Sequence, residues 1–139
     1  MGFKLTVDGT NPVELGGEHI LDAAFKVDTP GDSNARSTDM TSTLHVHGRI
    51  ITSLDGAEAD STINLAKWAK TLAKDAEAYR SVEIEFISAG KVVRKFKLPN
   101  AFVLQYEEDY SSEEGDGEFT IKIRQKKDQN DKIAIDGGW

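Results

Sequence analysis

The sequence predicts a mainly β fold: a small closed or nearly closed antiparallel β-barrel of about eight strands with one amphipathic α-helix. Most of the chain alternates apolar and polar residues with period two, broken by clusters of Gly, Pro, Asn and Asp. One segment alone switches to spacings of three and four. About eight strands are also more than one flat sheet holds comfortably in 139 residues, so the sheet is expected to curl onto itself. A chain of this length reads as a single domain, 1–139, able to bury roughly 68–70% of its unfolded surface.

The elements follow in order. Residues 3–8 put Phe3, Leu5 and Val7 on one face of a first strand and Lys4 and Thr6 on the other. A turn cluster at 9–17 leads to a second strand around 19–27. The stretch 28–38 has no apolar face to bury and reads as an extended, exposed loop. A long loop in a small domain is uncommon without a role, which makes Asp32, Asn34 and Arg36 candidates for contact with a neighbour; the alternative is an exposed tip with no role. The third strand, 41–51, sets Leu44, Val46, Gly48 and Ile50 against Thr43, His45, His47 and Arg49.

A helix over 61–79 follows, with Asp60 or Ser61 as its cap and Leu65, Trp68, Ala69, Leu72, Ala76 and Tyr79 as its apolar stripe. Trp68 reads as core. Residues 82–98 form a hairpin about Ala89-Gly90, in which Glu83 and Glu85 can pair across strands with Lys95 and Lys97. Pro99-Asn100 is expected to turn the chain before a long strand through Phe102, Leu104, Tyr106 and Tyr110. A loop at 111–117, a partner strand through Phe119, Ile121 and Ile123, and a short last strand at 132–135 complete the chain.

Composition excludes several classes of function. With 17 Lys and Arg against 24 Asp and Glu, the net charge of −7 argues against a dedicated nucleic-acid or anionic-membrane binder. The absence of cysteine excludes disulfides, thiol catalysis and Cys-based metal sites. No stretch approaches the ~20 apolar residues of a membrane span, and the first residues lack the pattern of a signal peptide, so cytoplasmic assembly is expected.

Catalytic motifs are missing: there is no nucleophile elbow, phosphate-binding loop, paired-histidine zinc motif or dinucleotide fingerprint. His45 and His47 project from one strand face, a spacing that can chelate a metal, but Arg49 shares that face and the sequence supplies no evident third ligand. A polar strand face is the preferred reading, with no metal and no cofactor expected. The acidic run through Glu113, Glu114 and Asp116 looks solvated rather than tuned for acid–base work, and it lacks the ligand spacing of a calcium loop.

Charge is sorted along the chain. Acids crowd between Glu107 and Glu118, and Lys122, Arg124, Lys126, Lys127 and Lys132 follow. Either the two arms of one hairpin neutralise each other, or an acidic rim and a basic rim on different edges draw copies together head to tail. Trp139, the last residue of the sequence, is expected to fold back or dock on a partner.

The order LHVHGRI, INLAKWAKTLAKDAEAY, VEIEFISAGKVVRKFKLPNAFVLQYEEDY and GEFTIKIRQKKD resembles the Hcp-like tube proteins of type VI secretion and the tail-tube proteins of phages and contractile injection systems, over residues 37–139. The resemblance implies a structural, non-enzymatic protein that assembles as homo-hexameric rings stacked into a hollow tube. The loop 28–38 would reach the adjacent ring, and His45, His47 and Arg49 would face the lumen. Sheath, spike or cargo proteins would be partners, and the particle would leave the cell without a signal peptide. The alternatives are a baseplate, hub or adaptor module of such a particle and, further off, a metal-dependent enzyme.

Overall fold

The computed structural model describes residues 1–32, 34, 40–50, 61–71, 74–112 and 117–138. Among them the order is β1 (Gly2–Val7), β2 (Val13–Leu15), β3 (Ile20–Asp28), β4 (Thr41–Ile50), α1 (Ser61–Ala69), β5 (Arg80–Ser88), β6 (Lys91–Asp109), β7 (Gly117–Gln125) and β8 (Ala134–Gly137). 3-10 turns lie at Ala76–Ala78 and at Lys127–Lys132, the latter kinked at Gln129.

All ladders are antiparallel, in the order β2-β1-β5-β6-β7-β4-β3, with β8 also on β6. No ladder among the described residues joins β2 to β3, so the barrel is nearly closed rather than closed. Phe25 of β3 nonetheless stacks on Phe96 of the central strand β6 with ring centroids 4.2 Å apart, and Val13 and Leu15 of β2 join Ile20 of β3 in one buried cluster, so the two ends of the sheet share one core.

The alternation read from the sequence is what fills that core. Leu5, Val7, Leu44, Val46, Val82, Ile84, Phe119, Ile121 and Ile123 are all buried, and each such side chain stabilises the fold by about 1.5–3 kcal/mol. Gly48 stands among them because a Cβ there would meet the backbone oxygen of His19 and come within 2.7 Å of the Phe119 ring.

The helix is shorter than the periodicity predicts. It ends at Ala69, and the chain reverses so that Ala78 returns beneath Trp68, whose indole N–H donates to the Ala78 carbonyl at 3.0 Å. Asp75 starts the 3-10 segment by accepting from the Glu77 N–H, which takes Ala76 and Tyr79 out of the helical stripe. Leu72 lies outside the described residues. Arg80 closes this corner: its buried guanidinium lies 5.6 Å from the Trp68 ring centroid, donates to the carbonyls of Asn11 and Glu77, and pairs with the Glu77 carboxylate at 3.4 Å.

Pro99-Asn100 does not turn the chain. Both residues lie inside the continuous strand β6, where the β5 ladder skips from Val82↔Leu98 to Arg80↔Ala101. Pro99 has no register partner at that irregularity, so its missing N–H breaks no ladder pair, and Asn100 takes its bonds from the far side, through Gln125 and the Lys126 N–H. The last strand starts two residues later than expected because 127–132 is coiled as a 3-10 segment.

Candidate functional site

The outward face of the sheet carries the predicted polar strand residues in rows fixed by register. Along one row Lys26, Thr43, Arg124 and Phe102 are neighbours; along the next, Ala24, His45, Lys122 and Gln105. Then come Asp22, His47, Thr120 and Glu107, and beyond them Arg49, Glu118 and Asp109. His45, His47 and Arg49 therefore share one face, as the alternation predicts.

The two histidines sit in opposite surroundings. Partial burial lowers the pKa of His45, and Lys26, Lys122 and Arg124 lower it further, against a smaller opposing pull from Asp28. His47 instead lies between carboxylates, with Nδ1 3.0 Å from Asp22 and Nε2 3.4 Å from Glu118. Its two ring nitrogens thus face acids on two different strands, which is the geometry of a cross-strand tie. Among the described residues, no three His, Asp or Glu side chains converge to hold a metal ion.

Strand pairing shows which residues of the charged hairpin stand opposite one another. Asp109 stands opposite Glu118, Glu107 opposite Thr120, Gln105 opposite Lys122 and Phe102 opposite Arg124. Acid does not meet base across the arms, and a directly opposed like-charge pair is unfavourable. Lys126 lies at the basic end, 3.9 Å from Asp128 and 5.6 Å from the centroid of Tyr79. Lys127 opens the adjacent 3-10 segment, and Asp32 and Asn34 are exposed after β3. Arg36, Glu113, Glu114, Asp116 and Trp139 lie outside the described residues.

Strand edges are the second resource of this surface. Beyond Ala101, β6 pairs with β7 alone among the described strands, and β2, β3 and β8 each pair with a single neighbour. Beside the half-paired stretch of β6 runs a groove of about 490 Å³ against Ala66, Ala69 and Lys70 of the helical segment. Tyr106 and Tyr110 both donate their hydroxyls to Glu108 at its end. Burial first, then the bond to Glu108, raises the Tyr106 pKa, so this hydroxyl stays a donor rather than serving as a base.

Sequence reasoning did not single out Asp22 and Lys26. Their alternation with Ala24 was available, but a register shift between Ile20 and Asp22 sets which face they occupy.

No protein-family model matches the chain, and no curated protein sequence matches it either. Solved structures do match in fold. Hcp1 from Flavobacterium johnsoniae is 18% identical, with a TM-score of 0.56 over 99% of this chain and 97% of that one. The Hcp1 protein of E. coli EAEC 042 pathovar is 12% identical, with a TM-score of 0.57 over 100% of both chains. A chain of the 6-fold symmetrised anti-feeding prophage baseplate is 12% identical, with a TM-score of 0.55 over 97% of this chain and 92% of that one. The chain thus has the fold of these proteins along its whole length, including the N-terminal third that the sequence resemblance leaves out.

Proposed function

We propose that the chain is a structural subunit of a secretion or contractile injection tube, six copies closing a ring and rings stacking into a hollow tube. The observation that carries this reading is a nearly closed sheet whose edges have no partner among the described strands, on a domain whose whole length matches Hcp proteins in fold. An edge that would be an aggregation liability in a monomer becomes an interface when a neighbour's strand completes it.

In this reading the role is non-catalytic, the face of His45, His47 and Arg49 lines the lumen, and the 28–38 segment touches the adjacent ring. Assembly takes place in the cytoplasm, and sheath, spike or cargo proteins are the further partners. The baseplate chain among the structural neighbours supports a second reading, a baseplate or hub component with few copies per particle.

Native mass spectrometry separates the two. A hexamer, with rings in negative-stain images, is the expected result. A strict monomer at high concentration and moderate salt overturns the ring. A particle with only a few copies of the chain favours the baseplate role.

A further inference from the structure

Three cavities lie along one seam, between α1 and the second half of β6. A small one of about 90 Å³ sits among Trp68, Ala69, Tyr79, Phe102 and Val103. It adjoins the groove of about 490 Å³ through Ala69 and Val103, and that groove adjoins a third cavity of about 210 Å³, beside Ile63 and Tyr110, through Glu108. The seam thus follows β6 from Phe102 to Tyr110, about 26 Å at about 3.3 Å per residue. Ile63, Tyr79, Leu104 and Tyr110 border it, half of the eight large apolar side chains exposed among the described residues. Single exposed apolar residues are ordinary, whereas four along one groove mark a binding surface.

The seam also borders an open strand edge. β5 leaves β6 at Ala101, and from Phe102 to Asp109 β7 alone pairs with it among the described strands. The other edge presents a row of backbone donors and acceptors, a template for one more extended segment. Tyr106 and Glu108 stand opposite the buried Ile121 and Phe119, so they point to the α1 side of the sheet, away from the face of His45 and His47.

The two ends of the groove differ in charge. Lys70 stands next to Ala69, at the Val103 end, and forms no ion pair with a described residue. At the other end Glu108 accepts the hydroxyls of Tyr106 and Tyr110, which fix the carboxylate without neutralising it, and no cation among the described residues pairs with it.

We infer that this groove takes an extended segment of a different protein chain, added to the free edge of β6 with an apolar side chain over Leu104, a basic one at Glu108 and an acidic one at Lys70. Every ladder of the fold is antiparallel, the more stable pairing, and an antiparallel segment here reads base first and acid about five residues later. The chain's own free-edged strands lack that order: β2 and β8 hold no base, and Lys26 of β3 is followed by an acid after two residues. A second copy is therefore not the occupant, and the surface is separate from the edges that the ring reading uses.

The probe is a blocked, fluorescein-labelled peptide of eight residues, valine alternating with threonine, with lysine second and aspartate seventh. Its affinity for the full chain is read by anisotropy and its footprint by hydrogen exchange. Saturation below about 1 mM is expected, with protection confined to 66–70 and 102–109. Methylating the peptide's amides along one edge is expected to weaken binding at least about tenfold, and so is Leu104→Asp, an exposed position where the wild-type melting temperature is expected to persist. Exchanging the lysine and aspartate should cost about tenfold with the wild type and gain about tenfold with the double variant Lys70→Glu, Glu108→Lys. No saturation, protection elsewhere, or equal binding of both charge orders overturns the inference. Self-association of the wild type that Leu104→Asp abolishes also overturns it, by making the occupant a second copy. The ring is counted separately by native mass spectrometry, so either reading can fail without the other.

Discussion

The two halves of β6 treat charge in opposite ways. In the first half, β5 and β6 set Glu83 opposite Lys97 and Glu85 opposite Lys95, and Lys95 reaches Glu83 at 2.7 Å and Glu85 at 3.9 Å. The bond to Glu83, foremost, raises the Lys95 pKa. In the second half, β6 and β7 set Asp109 opposite Glu118 and leave Lys122 and Arg124 without acids. In the first hairpin acids and bases stand directly opposite one another; in the second, among the described residues, they do not. The same strand therefore anchors the fold at one end and presents a surface at the other.

The strongest way to break the second half without touching its charges is Gly48→Ala. The added Cβ meets the His19 carbonyl and the Phe119 ring, and neither the backbone nor a core aromatic can yield cheaply. A loss of about 3 kcal/mol is expected in urea unfolding, with assembly lost alongside. A substitution that folds and associates like the wild type would show that β4 and β7 can separate at this point. Next in size, Asp109→Asn removes the opposed like charge and is expected to stabilise the monomer by about 0.5 kcal/mol. A loss of stability would mean that the carboxylate is already satisfied within the chain. On the self-neutralised half, Lys95→Glu is expected to destabilise slightly through repulsion from Glu83 and Glu85. An equal effect of Lys95→Glu and Asp109→Asn on stability would erase the contrast between the halves.

What the sequence reveals and what it hides follows from the range of each interaction. Strands with one buried face announce themselves: β1, β4, β5 and β7 alternate as predicted, and their apolar residues are the core. Three-residue β2 is too short to show a period. The periodicity overextends the helix because Ala76 and Tyr79 keep its phase, although Asp75 caps a new segment before them. Pro99 signals a turn in most contexts, but a strand changing partners tolerates it. On the polar face, the pairing of His45 with His47 is legible from a spacing of two. The identity of their neighbours is not, because Asp22, Glu118 and Lys122 arrive through register set far along the chain.

The smallest expected effect reports most directly on the cations around His45. Unfolded His45 titrates near 6.5, and burial with Lys26, Lys122 and Arg124 holds the folded imidazole below that value. Between the two values the unfolded chain binds more protons, so stability rises with pH there. The contribution is complete above about 6.5 and is lost as pH falls through the folded pKa. His45→Gln should therefore lose less stability than the wild type between pH 7.5 and pH 5, read as the shift in urea midpoint; parallel losses would mean that His45 senses no such field.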